Sequence, residues 1–156
     1  MPSPSPAPKL YRAATPFLTL RDPAAALEFY ARAFGAVETL RLVEPGGAIA
    51  HAEMAIGEAR FMLGHEYPEL GFRAPETLGG SPVAIHLDVD DVDAFFERAR
   101  AAGATVLQAP KDEFYGARAA SLRDPFGLAW LIATPREEVS TADMQRRLDE
   151  MMKSGG

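Results

Sequence analysis

Three polar side chains in this sequence, His51, Glu53 and His86, are of the types that metal sites and acid–base catalysts use. His51 and Glu53 are two positions apart in a run that predicts a strand, and strand alternation places both on one face. His86 has a similar position in the predicted strand 83–89. All three side chains could therefore face a single cavity.

Two histidines and one carboxylate form the donor set of non-haem iron sites, and related sets bind zinc, nickel or manganese. Residues two apart in a strand are separated by about 6–7 Å, which is a long span for two ligands of one ion. We therefore favour a hydrogen-bonded polar patch in a ligand cavity. The alternatives are a metal site, a structural role for His51, and general-base catalysis by Glu53 or His86.

Further candidates for ligand binding lie on predicted cavity-facing strand positions and in one loop. They are Phe17, Thr19, Asp88, Tyr115 and Arg118. Asp88 could bind a cationic ligand or form an ion pair with Arg118. The loop before Arg118 could close the cavity, with Tyr115 as a wall and Arg118 as an anion contact. A surface hairpin is the alternative for this loop.

Two conspicuous features are expected to be structural. Trp130 faces away from the cavity by strand alternation, so we expect it to pack in the core. Residues 124–127, with the sequence DPFG, predict a tight hairpin turn, because proline restricts φ and glycine permits a positive φ. We assign no chemistry to this turn.

The predicted strands and helices follow the order β-α-β-β-β twice. In the first half, the patterns predict strands at 10–20, 37–43, 49–56 and 60–63 and a helix at 24–34. In the second half, they predict a strand at 83–89, a helix from 90 or 91 to 102, and strands at 105–109, 117–122 and 128–134. Residues 66–81, rich in Pro, Gly and Glu, are expected to connect the halves.

This internal repeat predicts an α+β fold of two βαβββ modules, at 10–65 and 82–136. One module alone would bury too little apolar surface, so the two are expected to form a curved mixed sheet around a concave cavity, with the helices outside. Residues 1–9 are expected to be a disordered leader. Residues 137–156 are expected to form a C-terminal helix and tail. The apolar stripe of this helix would pack on the domain or on a second subunit, or else bind another partner.

Composition excludes several classes of protein. The chain has 156 residues, a net charge of −6 and no cysteine. A general nucleic-acid binder needs a basic surface, which is missing. Disulfides, thiol nucleophiles and cysteine-bound zinc are excluded. Neither a signal peptide nor a membrane-spanning run is predicted, so we expect a cytoplasmic protein.

Several segments resemble one known family. LTLRDPAAALEFYARAFGA at 18–36, VDDVDAFFERARAAGATVL at 89–107 and SLRDPFGLAWLIAT at 121–134 resemble glyoxalase and bleomycin-resistance proteins of the vicinal-oxygen-chelate superfamily. HAEMAIG at 51–57, FYGARAASLRDPFG at 114–127 and the tail at 136–152 resemble its narrower PhnB-like group. The resemblance implies a twofold βαβββ fold and a homodimer. It implies no single reaction, because members include isomerases, dioxygenases and metal-free drug-sequestering proteins.

The resemblance also implies where metal ligands would lie. Metal-dependent relatives have four ligands on cavity-facing strand positions, which here fall near Thr15, at Glu53, near Ala84 and near Leu131. Alanine and leucine have no ligand atom, and a neutral threonine hydroxyl is a poor ligand for a catalytic divalent ion. Of the four positions, only Glu53 keeps an effective ligand.

The resemblance and the incomplete ligand set together predict a metal-free protein that binds a small hydrophobic or aromatic molecule, as in drug sequestration. The first alternative is a lyase, isomerase or dioxygenase that uses a divalent metal at His51, Glu53 and His86. The second is a metal-free enzyme in which Glu53 or His86 is the general base.

Overall fold

The computed structural model describes residues 13–155, so the leader predicted at 1–9 lies outside the described residues. The first module consists of β1 (Phe17–Leu20), α1 (Pro23–Phe34), β2 (Val37–Val43), β3 (Ile49–Ile56) and β4 (Ala59–His65). A connection with a 3-10 turn (Pro68–Leu70) and the short helix α2 (Pro75–Leu78) follows. The second module consists of β5 (Ala84–Asp88), α3 (Val92–Ala101), β6 (Thr105–Asp112), β7 (Ala117–Arg123) and β8 (Ala129–Pro135), followed by helix α4 (Thr141–Ser154).

Each module forms its own four-stranded sheet, with the strand orders β1-β4-β3-β2 and β5-β8-β7-β6. The first strand of each module is parallel to the last, and the other neighbours are antiparallel. The predicted α+β class, with two βαβββ modules and a C-terminal helix, is confirmed. Hydrogen bonding divides the expected sheet in two, because no described strand of one module pairs with a strand of the other.

Two strand boundaries differ from the sequence prediction, and a proline is involved in each. The first strand begins at Phe17, directly after Pro16, whose carbonyl accepts a hydrogen bond from the Met62 N–H at 2.8 Å. Strand β6 continues through Pro110 to Asp112. A proline inside a strand is tolerated here because β6 lies at the edge of its sheet.

Local signals begin and end the helices as predicted. Asp22 caps α1, because its Oδ1 accepts a hydrogen bond from the Ala25 N–H at 3.0 Å, and Pro23 occupies the first helical position. The helix ends at Gly35, which has a φ of 65° that glycine adopts without strain. Asp91 caps α3 in the same way.

One hydrophobic core lies between the two helices and one face of each sheet. Aromatic rings from both modules meet in it. The Trp130 ring centroid on β8 lies 4.6 Å from that of Phe34 on α1 and 5.6 Å from that of Phe61 on β4. Trp130 is fully buried, so its predicted core position is confirmed.

The carboxylate of Asp124 is buried in this core, with only 4% of the residue exposed. Its Oδ2 accepts hydrogen bonds from the Tyr30 hydroxyl at 2.6 Å and from Trp130 Nε1 at 2.9 Å. Its Oδ1 accepts from the backbone N–H groups of Phe126 and Leu128, both at 2.9 Å. One side chain therefore closes the β7–β8 turn and joins it to α1.

The role of Asp124 was not predicted, although the turn that contains it is confirmed. The missing information was its partner Tyr30, which is distant in the sequence. Burial, reinforced by the charge of Asp124, raises the pKa of Tyr30 well above its usual value. The Tyr30 hydroxyl therefore stays protonated at neutral pH and remains a donor to the carboxylate.

We expect Asp124→Ala to lower the free energy of unfolding by at least about 3 kcal/mol, because four buried donors lose their acceptor. Urea denaturation, followed by the fluorescence of the single tryptophan, would measure the loss. The control is Asp90→Ala on the exposed surface, which should change the free energy of unfolding by less than about 0.5 kcal/mol. Equal losses in both variants would contradict the role assigned to Asp124.

The C-terminal helix α4 is attached to the second module by few contacts. The Ser140 Oγ caps it by accepting a hydrogen bond from the Asp143 N–H at 3.1 Å. Arg147 donates to the Phe114 carbonyl at 3.1 Å and to Glu137 at 2.7 Å. No residue of α4 is buried, so its predicted apolar stripe is not covered by the described chain. None of the described helices has the length and apolar character needed to cross a membrane.

Candidate functional site

One face of each sheet packs against the helices, and we call the opposite face the open face. On the first sheet, the strand register brings side chains from all four strands into one row. Phe17 pairs with Met62, Met62 with Glu53, and Glu53 with Leu40. The adjacent row consists of Thr19, Gly64, His51 and Leu42. Four of the predicted site residues therefore share this face.

His51 and Glu53 form a hydrogen-bonded pair on the open face. His51 Nε2 lies 3.1 Å from Glu53 Oε1. The two side chains are 25% and 19% exposed, so the pair is partly shielded but accessible to a small molecule. A carboxylate that holds an imidazole in one orientation leaves the other ring nitrogen available to a ligand or to a proton in transfer.

Gly64 permits the close contact between Phe17 and this pair. The Phe17 and His51 ring centroids are 5.7 Å apart, although β4 lies between their strands. A Cβ atom at Gly64 would lie 2.4 Å from the Ala50 carbonyl oxygen and 3.1 Å from Phe17 Cζ. The missing side chain therefore leaves the space in which the Phe17 ring reaches His51.

A cavity of about 240 Å³ adjoins this face, between β1, the connection and the residues just before and within β5. Phe17 and Thr19 line it from β1, and Leu78 and Val83 line it from the other side. The volume is below the range of about 300–1,000 Å³ that is common for drug-sized ligands, so the cavity suits a smaller molecule. We refer to it as the β1 cavity.

His86 and Asp88 form a second hydrogen-bonded pair, on the open face of the second sheet. His86 Nε2 lies 3.0 Å from Asp88 Oδ1, and the side chains are 58% and 64% exposed. His86 borders another cavity, of about 580 Å³, which residues 13–16 and 58–61 also line. Neither His51 nor Glu53 lines that cavity.

The metal set considered from the sequence is not assembled. His51 and Glu53 lie on β3, whereas His86 lies on β5 of the other sheet. Within residues 13–155, no three His, Cys, Asp or Glu side chains form a group that could hold a metal ion. Ala84 and Leu131 lie beside His86 on the second sheet and offer no ligand atom. These residues therefore do not fit one shared ion.

Arg118 lies on the face of the second sheet that packs against the helices. Its Nε and Nη2 donate to Asp93 of α3 at 2.8 and 3.0 Å, and its Nη1 donates to Asp112 at 3.3 Å. Asp93 raises the pKa of Arg118 further above its usual value. The ion pair with Asp88 is therefore not formed. Alternation along β7 explains this, because Arg118 is on the same side as Ala120, which is part of the core.

Tyr115 lies at the hairpin between β6 and β7. Its ring packs edge-on against Phe114, with centroids 5.2 Å apart. Partial burial, and then the charge of Glu113, raises the pKa of Tyr115. Among the described residues, neither Tyr115 nor Arg118 lines the β1 cavity or the cavity beside His86. The segment forms the surface hairpin that was the alternative to a cavity wall.

Three residues of the open face were missed in the sequence: Leu40, Leu42 and Met62. The two leucines are 40% and 54% exposed, and each pairs with a residue of the His51–Glu53 pair. Alternation is the only sequence signal for their orientation. It fails on β2 because the β2–β3 register shifts twice, which changes the face that each side chain occupies.

Comparisons with known proteins identify the family. The model of the Glyoxalase/Bleomycin resistance protein/Dioxygenase superfamily matches residues 12–132. Uncharacterized protein Rv0887c of Mycobacterium tuberculosis is 43% identical over 136 residues, which are 85% of this chain and 80% of that protein. Uncharacterized protein Mb0911c of Mycobacterium bovis has the same identity, over 90% of its length and 85% of this chain.

Solved structures agree with this match. TioX from Micromonospora sp. ML1 is 28% identical with a TM-score of 0.62, covering 82% of this chain and 99% of that one. A superfamily member from Sphaerobacter thermophilus has a TM-score of 0.64 at 20% identity, covering 80% of this chain and 98% of that one, which supports the fold alone. The two βαβββ modules thus define the class of fold. The chain belongs to the glyoxalase/bleomycin resistance protein/dioxygenase superfamily.

We expect Gly64→Ala to lower the free energy of unfolding by about 1–3 kcal/mol and to displace the Phe17 ring from His51, because the new methyl group overlaps the Ala50 carbonyl. Urea denaturation and the ring ¹⁵N shifts of His51 would measure these effects. Gly46→Ala is the matched control, since a Cβ there has no neighbour within 4 Å. Unchanged stability and unchanged His51 shifts in Gly64→Ala would show that the close approach has no role.

Proposed function

We propose that this protein binds a small apolar or aromatic molecule on the open face of its first sheet, without a metal ion, and that it acts by sequestering that molecule. The observation that carries the proposal is the row of Phe17, Met62 and Leu40, interrupted only by Glu53 and its partner His51. Such a surface offers apolar contact area together with one oriented polar group, as ligand sites commonly do.

The absence of a metal ion is part of this proposal. The side chains that could bind one occur as two separate pairs, and the positions near which the family resemblance places the other ligands are Thr15, Ala84 and Leu131. We also propose membership of the PhnB-like group, on the segments at 51–57 and 114–127 that resemble it.

A second candidate function is metal-free proton transfer on the same face. The observation that favours it is the hydrogen bond between His51 Nε2 and Glu53 Oε1. In this arrangement His51 would accept a substrate proton through its other ring nitrogen, while Glu53 would orient the imidazole and stabilise its protonated form. This differs from the roles predicted from the sequence, which made Glu53 or His86 the base.

We expect small aromatic compounds to raise the melting temperature of the protein in a thermal-shift screen, because a ligand of the folded state stabilises it. Phe17→Ala should weaken the affinity of any such compound by about tenfold or more, as expected for the loss of a large apolar contact. Leu107→Ala removes a similarly exposed apolar side chain from the second sheet and should leave the affinity unchanged. Equal affinity in the wild type and Phe17→Ala would refute the assigned site.

Measurements of metal content and turnover distinguish the candidates. Stoichiometric iron, zinc, nickel or manganese in untagged protein, lost in both Glu53→Ala and His86→Ala, would overturn the metal-free proposal. Bound aromatic compound recovered unchanged supports sequestration. Conversion that is lost in both His51→Gln and Glu53→Gln supports proton transfer instead.

We further propose a homodimer in which a second copy covers exposed apolar surface of the first sheet. Val37, Leu40 and Leu42 of β2 are all exposed in the single chain, and an apolar patch of this kind commonly marks an interface. A second copy would then supply the opposite wall of the open face.

We expect the wild type to be dimeric in size-exclusion chromatography with light scattering, and Leu42→Asp to raise the dissociation constant by at least about tenfold, because a charge would be buried at the interface. Leu70→Asp is the control, since Leu70 is equally apolar and exposed but lies in the connection. A monomeric wild type would overturn the proposed assembly.

A further inference from the structure

Arg73 is an arginine without a partner at a cavity that is otherwise neutral. It lines the β1 cavity together with Phe17 and Thr19, and it is the only charged residue among the described residues that do so. No described residue forms a hydrogen bond or an ion pair with its guanidinium group. By contrast, the nearby Arg21 is paired with Glu66.

We propose that Arg73 is the anion-binding residue of the β1 cavity and that the ligand is a small apolar or aromatic monocarboxylate. This inference rests on the proposed function and narrows it, because it assigns a chemical class to the ligand. A guanidinium group binds a carboxylate through two parallel hydrogen bonds, so it determines both the charge and the orientation of the ligand.

The backbone beside Arg73 is held in place by contacts with the ends of two strands. Glu66, directly after β4, accepts hydrogen bonds from the Ala74 N–H at 2.8 Å and from the Thr77 hydroxyl at 2.8 Å. Arg21, directly after β1, lies 3.4 Å from Glu66 and donates to the Thr77 hydroxyl at 3.0 Å. The residue next to Arg73 is therefore fixed relative to the first sheet, while the guanidinium group remains available.

The hydrogen bond from the Ala74 N–H, followed by that from Thr77, lowers the pKa of Glu66. Glu66 is therefore ionised at neutral pH and keeps Arg21 as its counter-ion. Ala74 itself is buried. Together these contacts leave Arg73 as the one cation of this region that is not used to hold the connection in place.

The remaining lining residues match the body of such a ligand. Phe17, Leu78 and Val83 are large apolar side chains that line the cavity and are exposed in the single chain. Because the whole protein carries a net charge of −6, an anionic ligand is repelled overall and requires a local cation. A carboxylate at Arg73 would place the apolar part of the ligand against Phe17, whose ring also contacts His51.

The test compares 2-naphthoate with 2-naphthamide, which has nearly the same shape and no charge, by isothermal titration calorimetry with the full chain. We expect the wild type to bind 2-naphthoate at least about tenfold more tightly, as for a charge-assisted hydrogen-bonded pair. In Arg73→Gln, the affinity for 2-naphthoate should fall by at least about tenfold and that for 2-naphthamide should not change. Arg73→Lys should restore part of the preference.

The matched control is Arg123→Gln, which removes the same charge from the second sheet, at a residue that does not line the β1 cavity. It should keep the wild-type preference for 2-naphthoate. Phe17→Ala should weaken both compounds equally.

Equal binding of the two compounds by the wild type would overturn the role of Arg73, as would an unchanged preference in Arg73→Gln. In either case the proposed function stands if Phe17→Ala still weakens binding. If neither compound binds the wild type, the assigned ligand class is wrong, and the thermal-shift screen decides the proposed function separately.

Discussion

The carboxylate of Asp124 joins the two modules, because it accepts hydrogen bonds from Tyr30 of the first module and from Trp130 of the second. A buried carboxylate is costly unless its lone pairs are matched by donors, and two backbone N–H groups complete the match here. Helix α1, the β7–β8 turn and the tryptophan ring therefore have one favourable arrangement. This arrangement forms the common core between the helices and both sheets.

The open faces follow from this core. Since the helices cover one face of each sheet, alternation along the strands directs every second side chain to the other face. Phe17 and His86 occupy equivalent positions on β1 and β5, yet one contacts the His51–Glu53 pair and the other is paired with Asp88. The repeat thus preserves the fold in both modules, while the chemistry of the two faces has become different.

The superfamily fold is compatible with many reactions, so function depends on the side chains that each member places on it. In this chain the positions near which the family resemblance places ligands include Ala84 and Leu131, which bind no ion. The features that distinguish its first sheet are an apolar row, one histidine–carboxylate pair and Arg73 in the connection. Connections tolerate change better than strands, which makes this segment a suitable place for ligand specificity to arise.

The sequence by itself determined the two modules, their helix ends and the placement of His51 beside Glu53, because all of these follow from short-range periodicity and capping. Only the tertiary structure decided which distant residues meet. Asp124 finds Tyr30, Arg118 finds Asp93 on the covered face, and Arg73 reaches the β1 cavity. Periodicity contains no information on such pairs, and the register shifts of β2 interrupt even the local pattern. Packing of the sheets, helices and connection against one another determines these contacts.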